Sequence, residues 1–218
     1  MTLAEIEATA ARQHLAVFGG FHPRPADGLP ERCQTLLLLG PAEPGFWRHV
    51  TAEPEFDRQP NPLDRWSRRV IDQLASDLDG FAFFPFGGPP HRPFYQWALR
   101  SGRAFAAPIS LLVHDVAGLM VSYRGALALP DRLDLPPPIG NPCDSCAEKP
   151  CLTACSVKAF GPRGYDVGRC HAFLDSPSGG ECMNLGCAVR RACPVSQLYA
   201  RLPAQSAHHM QHFHTPPQ

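Results

Sequence analysis

The stretch Cys143-Asp144-Ser145-Cys146-Ala147-Glu148-Lys149-Pro150-Cys151-Leu152-Thr153-Ala154-Cys155 places four thiols close together. Four more follow at Cys170, Cys182, Cys187 and Cys193, the last preceding Pro194. Of the nine cysteines, only Cys33 lies outside residues 143–193. Such a count reads as disulfides, metal or catalysis, and the compartment separates the three. Residues 1–10 carry neither the basic nor the apolar region of a signal peptide, so none is expected. No apolar run approaches the roughly 18 residues of a membrane-spanning helix. A cytoplasmic chain with reduced thiols is the expectation, and grouped cysteines there point to metal.

Spacing narrows the metal. The first run reads Cys143-x2-Cys146-x4-Cys151-x3-Cys155, with gaps of 14, 11, 4 and 5 residues separating the later cysteines. A structural zinc site normally draws on two knuckles separated by a longer spacer. Tight runs of Cys suit an iron–sulfur cubane, as in the bacterial run C-x2-C-x2-C-x3-C-P, whose fourth Cys serves the other cluster. The first run departs from that pattern by the inserted Lys149-Pro150 and by Ser156 where Pro stands. Eight thiols are what two [4Fe–4S] clusters require. A pseudo-symmetric assignment gives Cys143, Cys146, Cys151 and Cys193 to one cluster and Cys155, Cys170, Cys182 and Cys187 to the other. One cluster with spare thiols, or a structural zinc site, are the alternatives. The small residues Ser145, Ala147, Thr153, Ala154, Gly186 and Ala188 would let backbone N–H groups approach the sulfurs and tune their potential. Cys33 reads as a small buried hydrophobe.

The rest of the 218-residue chain supports a core of its own. Thr2 with Glu5 forms a capping box that predicts a helix to about residue 14. The run 34–39, ended by Gly40, predicts a buried strand. Asn61-Pro62 opens a helix whose Leu63, Trp66, Val70, Ile71, Leu74 and Leu78 share one face, with Asp64 placed to pair with Arg68 and Gly80 as the stop. Residues 81–86 predict a strand and 94–100 a helix. Residues 109–114 and 119–129 predict two strands joined as a hairpin around Val116-Ala117-Gly118. The fold class expected is α+β, a mixed sheet covered by helices. The Pro-rich segment 133–142 predicts a stiff linker. The domains expected are therefore 1–135, a loop-rich iron–sulfur module over 136–205, and a flexible His-rich tail over 206–218. Twenty basic and twenty acidic residues cancel, which argues against a dedicated nucleic-acid binder. There is no G-x-G-x-x-G fingerprint and no P-loop. His91 and His114 are candidate metal ligands that read as well as structural residues.

Longer motifs add a resemblance. The C-terminal part resembles the dicluster ferredoxin module of the epoxyqueuosine reductase and reductive dehalogenase group. The matching elements are the run 143–160, then Tyr165-Asp166-Val167-Gly168-Arg169-Cys170-His171-Ala172-Phe173-Leu174, then Gly186-Cys187 and Cys193-Pro194-Val195. In that group an isolated Cys after the first run completes the second cluster, which supports Cys170 there. The first region is similar to the cobalamin-processing (cblC-type) protein, on Phe18-Gly19-Gly20-Phe21-His22-Pro23, on residues 61–70 and on residues 116–138. The resemblance implies a nitroreductase-like fold, a ferredoxin-like module with two clusters, and a corrinoid (cobalamin) that receives single electrons. It thus implies a corrinoid-dependent or cobalamin-reducing oxidoreductase. Residues 81–86 and 94–97 would flank such a ring, or are plain core. A carrier that passes electrons to a redox protein partner is the alternative.

Overall fold

In the computed structural model, which describes residues 1–161 and 164–214, the chain divides into two units. The first comprises residues 1–104 and 122–139, and the second comprises residues 105–121 and 140–218. The architecture is mixed α+β with a small antiparallel sheet and helices. Among the described residues, no helix is long and apolar enough to cross a membrane.

The first unit begins with α1 (Leu3–Ala11). Its capping box is complete: the Glu5 N–H donates to Thr2 Oγ1 at 3.3 Å and the Thr2 N–H to Glu5 Oε2 at 2.8 Å. Then come β1 (Leu15–Phe21), β2 (Thr35–Pro41), α2 (Phe46–Thr51), α3 (Pro62–Asp77), β3 (Phe81–Phe83) and α4 (Phe94–Arg100). The chain next forms β4 (Ala104–Ala106) and β5 (Leu112–His114) before returning to this unit with β6 (Gly125–Leu129). The sheet order is β1-β2-β6-β3, antiparallel throughout. Every residue of β2 is buried, so the strand reads as a continuous apolar run without alternation. Helix α3 lays Leu63, Trp66, Val70, Ile71 and Leu74 into the core with Leu37, Leu39 and Leu127. Gly125 allows this approach, since a Cβ there would lie 2.7 Å from Ile71 Cδ1 and 3.0 Å from the Phe83 carbonyl.

Several expectations change here. Asp64 does not pair with Arg68. It accepts from Arg124 Nη2 at 2.5 Å, and Arg124 Nε donates to Ser67 Oγ at 2.9 Å. Arg68 lies instead over the Phe84 and Phe86 rings, at 4.7 and 5.7 Å. A buried cation outcompetes an exposed i,i+4 neighbour for the carboxylate because its unpaired state is far more costly. The expected hairpin over 109–129 is also absent. β5 shares a sheet with β4 and β6 pairs with β2 and β3, while His114 and Gly118 make only an isolated bridge. The linker is strapped down over 133–139. Leu133 N–H donates to Thr35 Oγ1 at 3.0 Å, His22 Nε2 meets the Leu133 carbonyl at 3.0 Å, and Ile139 N–H donates to the Gly102 carbonyl at 3.1 Å.

The second unit is discontinuous, whereas the sequence reading placed a single boundary at 135/136. Ala107, Ile109, Val113 and Leu119 form one apolar cluster with Cys151, Val189 and Cys193, which draws residues 105–121 to the cysteines. Around that cluster lie the short pair β7 (Phe160–Gly161) and β8 (Gly164–Tyr165), then α5 (Val167–Leu174), α6 (Gly180–Leu185), α7 (Ala188–Ala192), α8 (Pro194–Leu198) and α9 (Pro203–Phe213). The His-rich segment is thus not a flexible tail over 206–214. It is largely α9, packed on α6, with Ser206, Met210 and His214 buried and His214 Nε2 2.8 Å from Asp175 Oδ1. Residues 215–218 of the expected tail lie outside the described residues.

Removing the Asp64 carboxylate leaves the buried Arg124 guanidinium unpaired. Asp64 is itself one-third exposed, which moderates the cost. Asp64→Ala is expected to destabilise the protein by about 2 kcal/mol, read as a lowered urea midpoint.

Candidate metal centre

The loop that carries the first thiols is set by local chemistry. Asn141 Oδ1 accepts the Cys143 N–H at 3.0 Å, an Asx turn that starts the run. The inserted pair Lys149-Pro150 has a clear structural role. Lys149 takes a left-handed conformation at φ 40°, and Pro150 opens a single 3-10 turn, Pro150–Leu152, that buries Cys151. The later cysteines sit on or between short helices. Cys170 lies in α5, whose Asp166 cap accepts the Arg169 N–H at 2.9 Å. Cys182 lies in α6, Cys187 just precedes α7, and Cys193 separates α7 from α8 with Pro194 in the first turn.

These placements bring the thiols together in two groups. Cys143, Cys146, Cys151 and Cys193 line one apolar cavity of about 310 Å³, with Pro108, Val113, Leu119 and Val195 among its walls. Burial pushes the Cys143 thiol up, and the negative charges of Cys151, Cys193, Cys146 and Asp144 push it further. Cys151 is raised by burial and by Cys193 and Cys146, against N–H groups of Cys151 and Leu152 that pull it down. In the second group, burial raises Cys170, the Tyr165 hydroxyl bond pulls it back, and Cys187, Cys155 and Cys182 raise it again. Cys182 is raised by burial and Cys187, against a bond from the Ala188 N–H. The Ala159 N–H donates to Cys155 Sγ at 3.3 Å. The thiols that raise each cysteine all belong to its own group. Both groups touch one apolar cluster, through Cys143, Cys151 and Cys193 on one side and Cys155 and Cys187 on the other.

All nine cysteines are free thiols. Among the described residues, no three His, Cys, Asp or Glu side chains form a group that could hold a metal ion. One zinc would require its thiolates to converge at about 2.3 Å from a single point. A cubane presents its four irons at separate corners, so its thiols stand further apart.

The remaining candidates are structural. Cys33 is buried, its thiol donates to the Thr35 carbonyl at 3.3 Å, and burial pushes it up. His114 is fully buried, its Nδ1 accepting from the Val116 and Ala117 N–H groups at 3.2 and 3.3 Å. His91 is exposed. Phe84, Phe94 and Trp97 are buried core residues, and Arg92 lies over the Phe83 ring at 4.6 Å. The sequence reading attached no role to Tyr165 or Arg190. The Asp166 cap that starts α5 was the available signal for Tyr165, because it fixes that residue just over one turn before Cys170.

Comparison with family models, with curated protein sequences and with solved structures returned no match.

Gly186 holds the approach to Cys187 at φ 91° and ψ 165°, a conformation reserved for glycine, and a Cβ there would lie 2.8 Å from Ser206 Cβ on α9. Gly186→Ala is expected to destabilise the protein by about 2 kcal/mol. Thermal unfolding checks this against Gly180→Ala, where an added methyl meets nothing within 4 Å and the midpoint is expected to be unchanged.

Proposed function

We propose that this chain is an iron–sulfur redox protein whose second unit holds two [4Fe–4S] clusters. Cys143, Cys146, Cys151 and Cys193 would hold one, and Cys155, Cys170, Cys182 and Cys187 the other. When bound, such clusters supply reversible one-electron transfer. The observation that carries the reading is the sorting of eight free thiols into two groups of four around a common apolar cluster. The donor set suits the group: thiolates are the usual iron–sulfur ligands, and four of them border a cavity with room for more than a single ion.

The protein's own residues supply three things. Pro108, Val113, Leu119 and Val195 give the cavity of the first four sulfurs an apolar lining, which lowers the local dielectric. The Ala159 N–H donates to Cys155 Sγ in the second group and favours its negative charge. Short helices and turns fix the thiols without long flexible arms. Resemblance in the cysteine run and in residues 165–174 supports a dicluster ferredoxin module. Resemblance over 18–23, 61–70 and 116–138 supports a corrinoid as electron acceptor and a nitroreductase-like first unit, which together make a cobalamin-reducing oxidoreductase.

Anaerobic purification, or reconstitution with iron and sulfide, is expected to give a brown protein with about eight irons and eight sulfides per chain. Cys143→Ser and Cys170→Ser are each expected to lower that content to about half, and the double variant to abolish it. A colourless protein with stoichiometric zinc overturns the reading. Adding cobalamin to the reduced brown protein is expected to change the corrinoid visible spectrum. An unchanged spectrum overturns the corrinoid and leaves a carrier serving a redox protein partner.

A further inference from the structure

Histidines are concentrated on and just after α9, at His208, His209, His212 and His214. His208 and His212 stand one helical turn apart, the i,i+4 relation that puts two side chains on one face. Their ring centroids are 4.2 Å apart, with planes at 43°. His209 points to a different side of the helix, and its ring lies 5.9 Å from that of His208.

A hydrogen bond fixes which nitrogen His212 offers. Its Nδ1 lies 2.8 Å from the His208 carbonyl oxygen. A carbonyl only accepts, so Nδ1 carries the proton and Nε2 of the neutral ring keeps its lone pair. Histidine ligands are held in this way, with the second nitrogen donating to a carbonyl or carboxylate that sets the tautomer and the ring orientation. His212 is exposed and His208 half-buried, so a dissolved ion has access to the pair.

The backbone beneath the two rings is well anchored. Gln205, Ser206 and Met210 of α9 are buried, and the helix packs on α6. Just past its end, the His214 N–H donates to the Met210 carbonyl at 2.8 Å, and His214 Nε2 lies 2.8 Å from Asp175 Oδ1. The last turn, which carries His212, is therefore held at both edges. A cation bound there also meets the negative end of the helix dipole.

We infer that His208 and His212 form a chelating site for one divalent late first-row metal ion, of the Zn2+ or Ni2+ kind that imidazole nitrogens suit. An ion about 2.1 Å from each nitrogen sets the two ring centres on the order of 5 Å apart, so only a small spreading of the rings is required. Among the described residues, no three His, Cys, Asp or Glu side chains form a metal-holding group, so water completes the coordination. The site is thus an exchangeable one at the surface. Binding bridges the last turn of α9 and stabilises the folded chain alone.

Zinc titration of the intact chain under anaerobic conditions, by equilibrium dialysis with metal analysis, tests the assignment. The parent is expected to take up one zinc ion that His208→Gln and His212→Gln each bind about a hundredfold more weakly, as a two-point attachment becomes a single one. His209→Gln is expected to keep the parent affinity. Zinc held by cysteines is common to all four proteins, so the difference reports the histidines whether or not the chain holds iron–sulfur clusters. Thermal unfolding gives a second readout. His212 is exposed, so its replacement is expected to leave the metal-free midpoint close to the parent's. Saturating zinc is expected to raise the midpoint of the parent more than that of either His208→Gln or His212→Gln. Equal zinc affinity in the parent and both variants overturns the site, as does an equal loss on His209→Gln.

Discussion

Four thiolates gathered in an apolar setting repel one another, and burial penalises each charge again. That is why Cys143, Cys151, Cys170 and Cys182 all have thiols pushed above their ordinary range, by burial first and by one another in most cases. A cationic core would relieve such an arrangement, because metal binding removes thiol protons and offsets the repulsion. Without one, something else must hold the sulfurs in position. In this protein it is the apolar cluster built from Ala107, Ile109, Val113, Leu119 and Val189, against which Cys151 and Cys193 are buried. The brevity of α6, α7 and α8 follows from the same constraint, since the chain must turn often to bring each thiol inward.

How much of the fold is legible in the sequence depends on where the determining interactions lie. Thr2 with Glu5, and the apolar face from Leu63 to Leu74, act within one element, so sequence spacing reports them faithfully. Strand β1 is harder to see. Gly19-Gly20 interrupts its pattern, and the pairing with β2 shifts register between Val17 and Gly20. Helix α2 is only six residues long and is held by burial of Phe46 and Val50, which no local pattern announces. The hairpin around Val116-Ala117-Gly118 misled for the opposite reason. Its local turn signal is real, as the His114–Gly118 bridge shows. Its two flanks, however, find better strand partners far away in the chain, β4 for one and β2 with β3 for the other.

The candidate site divides in the same way. Cysteine is scarce enough that eight in a short span stand out, and their intervals carry chemistry. Tyr165 and Arg190 carry no such mark, because an aromatic and a basic residue are ordinary in any chain. Their surroundings become visible only in the fold, where Tyr165 stacks on Phe160 and Arg190 Nη1 donates to the Leu119 carbonyl. The apolar walls contributed by residues 107–119 were illegible too, since they belong to a segment that sequence alone assigns to the other unit.

The discontinuity of the second unit has a consequence for the order of events during synthesis. Residues 105–121 leave the ribosome well before Cys143, and their apolar partners Val189 and Cys193 emerge later still. Translation proceeds at roughly 5–20 residues per second, and domains generally fold as units. The early apolar segment must therefore wait, for several seconds, until Val189 and Cys193 have appeared. Neither group of four is complete before its last member, Cys187 or Cys193, is translated. Each group of four therefore closes only after residues 105–121 have been exposed for the time needed to translate roughly seventy further residues.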